Sequence, residues 1–175
     1  MSQDHLQKLC LLLPFAAAMW ISPVAADHVP NHVEGYDYYN KGAFSKAFQM
    51  WQRLANEGSA NAEYNLGILY SRGEGVIQDH QKAFEWFHRA ARRGLAASQI
   101  RIAAMYATGI GVETSPVDAY MWLLIGERSH QTTKNTEVKI LHQQIMELIR
   151  QMDLKMTDED KKTAERRARE WLPSR

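Results

Sequence analysis

Cysteine is all but missing: Cys10 is the only one in 175 residues. It stands inside an apolar run near the start. A chain cut behind that run has no thiol, which excludes disulfides, a cysteine nucleophile and thiolate zinc sites. An excess of charge of one sign is missing too. Lys and Arg total 21 and Asp and Glu 20, too even a balance for a nucleic-acid footprint. There is no G-x-S-x-G, no phosphate loop and no H-E-x-x-H. His80, His88, His130 and His142 share no common spacing. His28 and His32 are four apart, but Pro30 between them disfavours the helix that would bring two imidazoles together. No metal, cofactor or small-molecule substrate is therefore expected.

A long hydrophobic run is also lacking. The most apolar stretch, Leu9 to Ile21, is shorter than the roughly 20 residues a membrane span needs. Lys8 precedes it, and Ser22, Pro23, Val24, Ala25 and Ala26 follow. This pattern predicts a signal peptide over 1–26, cut near Ala26, and a periplasmic or secreted product. The alternative is an uncut leader, which would be the only membrane attachment. Asp27 to Glu34 reads as a flexible entry segment.

What the chain does have is a repeat. Leu66 recurs thirty-six residues on as Ile102, and the same step carries Tyr70 to Tyr106, Gly73 to Gly109, Gly75 to Gly111, Val76 to Val112, Ala83 to Ala119 and Trp86 to Trp122. Counting back from the second helix, Lys46, Ala47, Phe48, Ala55 and Gly58 step to Lys82, Ala83, Phe84, Ala91 and Gly94. A fixed period in the thirties predicts a helical solenoid. Ala62, Leu66 and Tyr70 form one stripe of a first helix. Gly73 and Gly75 break that helix, and Val76 plugs the turn. Ala83, Trp86, Phe87, Ala90 and Ala91 line a second helix, with small residues where helices touch and aromatics filling the gaps. Phe44, Ala47, Phe48, Met50, Trp51 and Leu54 repeat that face earlier, with a shorter turn before them, and are read as core.

The run A-x3-L-G-x2-Y-x2-G-x-G-V-x6-A-x2-W-x3-A-A-x2-G, Ala62 to Gly94, with Asp79, Lys82 and Ala83 as D-x2-K-A, closely resembles the Sel-one-like repeat family, a branch of the tetratricopeptide superfamily. The resemblance implies an all-α, right-handed α/α solenoid of about two repeats plus a partial N-terminal one, spanning 35–126. It implies protein–protein contact rather than catalysis. By analogy with tetratricopeptide grooves, the concave face would be built from Asp37 and Asn40, then Tyr64, Ile68, Ser71 and Arg72, then Ile100, Ala104 and Thr108. The expected partner is a protein segment, either a peptide or a helix. Packing against neighbouring helices is the competing role for Ile100 and Ala104. The alternative function is a cell-envelope hydrolase acting on peptidoglycan or β-lactams, a label carried by some cysteine-rich relatives whose cysteines this chain lacks.

After the repeats, Gly126 to Thr136 is polar, and a linker is expected over 127–136. Val138, Leu141, Ile145, Leu148, Ile149 and Met152 then mark an amphipathic helix within 137–156. Thr157 caps a last helix whose acidic start and basic end suit the helix dipole. The two would form a capping pair over 137–175, with Trp171 and Leu172 sealing the open end of the solenoid. His88, Arg89, Arg92 and Arg93 crowd the end of a helix, as a dipole complement or as a patch for an acidic partner.

Overall fold

The computed structural model describes residues 32–130, 143, 146, 147, 150 and 156–171. Within 32–130 and 156–171 there are seven helices, and no described residue is in a strand: α1 His32–Asn40, α2 Phe44–Asn56, α3 Ala60–Arg72, α4 His80–Arg92, α5 Ala96–Thr108, α6 Pro116–His130 and α7 Asp158–Glu170. Each packs on the next in chain order, so the fold is the all-α series of helix pairs that the period predicts. No described helix is long and apolar enough to cross a membrane.

Local chemistry sets the helix ends. Ser59 caps α3, its hydroxyl accepting from the Ala62 N–H at 3.3 Å, and Asp79 caps α4 from the Lys82 N–H at 2.9 Å. Ser115 precedes α6 and accepts from the Asp118 N–H at 3.2 Å. Thr157 and Asp160 form a reciprocal capping box at the start of α7. Gly73 and Gly109 end α3 and α5 in the left-handed region.

Two boundaries differ from the sequence expectation. Helix α1 begins at His32, so the end of the segment expected to be flexible is already helical. Helix α6 runs through Gly126 to His130, into the expected linker. Gly126 is buried, and a Cβ there would come within 3.3 Å of Ile100. This glycine serves close packing inside a helix and does not end one. The leader, Pro30, the rest of the linker and the apolar stripe from Val138 to Met152 lie outside the described residues. Gln143, Met146, Glu147 and Arg150, which fall between the stripe positions, are helical and exposed.

The core has two buried clusters. Ala47, Trp51, Leu54, Ala55, Ala62, Leu66 and Leu69 make the first, with Trp86 packed against it. Ala83, Phe87, Ala91, Ile100, Ile102, Ala103, Trp122 and Leu123 lead the second, with Tyr64 and Ile68 packed against it. Helix α4 thus turns Trp86 to one cluster and Ala83, Phe87 and Ala91 to the other. Aromatic edges link successive helices: Phe48 meets Tyr70 at 5.8 Å and Phe84 meets Tyr106 at 5.4 Å between ring centres.

The C-terminal helix closes the series. Trp171 packs edge-on to Trp122 at 5.6 Å, Arg167 reaches Asp118 at 3.1 Å, and Arg128 donates to the Ala168 carbonyl at 3.1 Å. Asp118 stands one period after Lys82, and Lys82 lies over the Tyr70 ring at 5.6 Å. The charge at this position is reversed where the partner changes from a ring to the cap's arginine.

Gly67 and Phe87 are matched. A Cβ on Gly67 would sit 2.6 Å from the Phe87 ring. One period on, the same pair is Ala103 and Leu123. Gly67→Ala should therefore cost about 1–3 kcal/mol through overpacking, set against about 1 kcal/mol of gained helix propensity. In a Phe87→Leu background the same change should be neutral or stabilising. A double-mutant cycle by urea unfolding checks it.

Candidate interaction surface

A first helix of 3.6 residues per turn that buries Ala62, Leu66 and Leu69 must turn Asn61, Tyr64, Ile68, Ser71 and Arg72 away from that core. On α3 that arc is half-buried at Tyr64, Ile68 and Ser71 and exposed at Asn61 and Arg72. Tyr64 is held by Phe87 of α4, ring centres 5.4 Å apart. The Ser71 hydroxyl turns back onto the Ile68 carbonyl at 2.8 Å. On α5 the matching arc is Ala97, Ala104 and Thr108, with Ala97 and Ala104 half-buried and Thr108 exposed. The Thr108 hydroxyl donates to the Ala104 carbonyl at 2.8 Å. On α1, Asp37 and Asn40 are exposed, as is Val33.

Ile100 does not belong to this surface. Its exposure is 0%, and it lies in the second cluster under Gly126. The period equates it with Tyr64. Its neighbour on the second helix is a glycine, so the helices close over the smaller side chain. Sequence reasoning passed over Ala97 and Val33, which sit at helical spacing from the expected positions on the same arcs.

Arg72 is exposed but engaged. Its Nη1 donates to the Tyr39 hydroxyl at 2.6 Å, and that hydroxyl donates to Glu74 Oε2 at 2.8 Å. Burial, reinforced by the Glu74 carboxylate, holds the Tyr39 hydroxyl pKa above its ordinary value. This chain of contacts fastens α1 to the end of α3.

The crowded end of α4 has a purpose the sequence did not disclose. Glu63 of α3 is fully buried and grips Arg89 Nε at 3.2 Å and Arg93 Nε at 3.1 Å. Arg89 also lies over the Trp86 ring at 4.5 Å. His88, half-buried, stacks on Phe84 and meets Trp122 edge-on at 5.6 Å. Burial, and then the Arg92 charge, push the His88 pKa below its ordinary value. The unfolded chain takes up the proton first as pH falls. Stability should be full above the unfolded pKa of about 6.5 and decline as pH drops through it towards the lower folded value. Chemical denaturation of wild type and His88→Gln from pH 8 to pH 5 checks this, and the variant should lose that part of the slope. Among the described residues no three His, Asp or Glu side chains converge as metal ligands would.

The match to known proteins agrees with this geometry. The Sel1 repeat model matches residues 44–59, 60–95 and 96–126, which are α2, the α3–α4 pair and the α5–α6 pair. Residues 44–126 thus carry three Sel1 repeat matches. The helix pairs resemble the crystal structure of c5321, a protective antigen of uropathogenic Escherichia coli strains displaying an SLR fold. The TM-score is 0.65 at 26% identity, over 78% of this chain and 28% of that one. They also resemble a Sel1 repeat protein from Oxalobacter formigenes, with TM-score 0.52 at 26% identity, over 55% of this chain and 42% of that one. The chain thus spans less than half the length of either. No curated protein matches it significantly. Sel1 repeats generally mediate protein–protein contact and are generally non-catalytic.

Proposed function

We propose that this Sel1 repeat protein is a non-catalytic adaptor of the bacterial cell envelope that binds a segment of a partner protein on the face made by α1, α3 and α5. One observation carries the reading. Ile68 and Arg72 recur one period on as Ala104 and Thr108, and with Asp37, Asn40, Tyr64 and Ser71 they leave a partly accessible surface that mixes apolar and polar groups. Such a surface suits a peptide or a helix, which needs apolar anchors and a few donors. The leader pattern over 1–26 supports export to the periplasm or beyond.

Wild type and a Tyr64→Ala, Ile68→Asp double variant should be crosslinked in the native envelope and the captured proteins identified. The variant should lose the partners that wild type holds while still folding by circular dichroism. Equal capture by both would remove the assignment of this face.

A further inference from the structure

Two buried N–H donors on successive first helices lack an acceptor among the described residues, and they occupy the same place in consecutive repeats. They are Asn65 of α3 and Arg101 of α5, thirty-six residues apart. Asn65 is 5% exposed; its Oδ1 accepts from the Tyr36 hydroxyl at 3.5 Å, and its Nδ2 has no acceptor. The Nε of Arg101 is buried without an acceptor, and this half-buried residue pairs with no carboxylate among the described residues. The other arginines from α3 to α5 are all engaged: Arg72 with Tyr39 and Glu74, Arg89 and Arg93 with Glu63, and Arg92 as well. A partly desolvated cation without a counter-charge is costly to keep. Arg101 lies four residues after Ala97, three before Ala104 and seven before Thr108, so one stripe of α5 carries all four. The matching stripe of α3 is Asn61, Asn65, Ile68 and Arg72. Neither stripe contains an acidic residue. The one carboxylate on the expected face, Asp37, is on α1 at the far end.

We infer that Arg101 is the specificity residue of this face and that the occupant is an acidic segment of a partner protein, with an Asp or Glu carboxylate flanked by apolar side chains. The carboxylate pairs with the Arg101 guanidinium, and the apolar neighbours lie on Ala97, Ala104, Ile68 and Tyr64. Charge complementarity selects an acidic occupant over a neutral or basic one, because Arg72 is already paired with Glu74 at 3.9 Å while Arg101 has no carboxylate beside it among the described residues. The polarity of the face, Asp37 at one end and Arg101 at the other, fixes the direction in which the segment lies.

This inference rests on the binding face proposed above, and the test separates the two. The full chain is panned against a displayed library of random twelve-residue peptides, and the enriched peptides are titrated against purified variants. Enriched sequences should contain Asp or Glu beside an apolar residue. Arg101→Met should weaken their binding about tenfold or more, with Arg101→Lys recovering part of it and added salt weakening the wild type. The melting temperature of Arg101→Met should equal or exceed that of wild type. Peptides lost on Ile68→Asp but held equally by Arg101→Met would overturn the role of Arg101 and leave the face standing. Peptides indifferent to both changes would remove the face itself. A sharp drop in the melting temperature of Arg101→Met would show that the guanidinium is satisfied within the chain, and it would overturn the inference, as would enrichment of peptides without acid or of none.

Discussion

Replacing Gly111 with alanine should cost about 2–4 kcal/mol, a large share of a total stability that is typically about 5–15 kcal/mol. Two effects combine. The residue has φ +76°, where an L side chain costs about 1–2 kcal/mol. A Cβ there would also stand 2.2 Å from the His80 carbonyl oxygen and 2.6 Å from its carbon. Those are backbone atoms of the first turn of α4, so the loop after α5 would have to lift off the preceding repeat. Gly42 separates the two effects. Its φ is +72°, and nothing lies within 4 Å of a built Cβ. Gly42→Ala should therefore cost only about 1–2 kcal/mol. Urea midpoints of the two variants check the difference. Equal losses would mean that the close approach at Gly111 contributes nothing.

The second large effect is asymmetric. Arg89→Met with Arg93→Met should destabilise the protein by about 3–5 kcal/mol, because it strands the Glu63 carboxylate, whose side-chain exposure is 0%. Glu63→Gln should cost much less. The two guanidiniums, with side-chain exposures of 49% and 39%, keep their access to water when the carboxylate goes. The chain carries its own version of that change. One period on, Glu63 becomes Gln99 and Arg89 becomes Ile125. Gln99 is fully buried and donates to the Ala91 carbonyl at 3.2 Å. Denaturant unfolding of the three variants checks the ranking. A Glu63→Gln loss as large as the double arginine loss would refute the argument from burial.

The periodic part of the fold was legible because each recurring residue answers the same local demand. Trp51 and Trp122 lie in the core, at 1% and 3% exposure, as their place among alanines implies. Asp79, Ser59 and Thr157 cap the helices they precede. The misassignments arose where a pair on facing helices changes together. Ile100 takes the place of Tyr64 in sequence, but Gly126 across from it lets the helices close, and no one-dimensional spacing records that. The role of Arg89 and Arg93 was hidden for the same reason. Their acid is twenty-six and thirty residues away, on the other helix of the hairpin. Seen along the chain they look like charges placed for a dipole. Of the face expected to bind, every residue except Ile100 is at least partly accessible. The sequence could not show which of its cations lack a partner, because that depends on the fold around them.

Helix α4 is a party wall between two rooms. Trp86 faces one side and Phe87 the other, so neither room has four walls without it. The sequence period invites recombination at the turns, where one repeat ends and the next begins. A graft cut there would carry half of a core into a host that has evolved the other half. Chimaeras with a relative should hold together only if α4 travels with both its neighbours, or if contacts across the boundary such as Phe84 with Tyr106 are re-matched at the new seam.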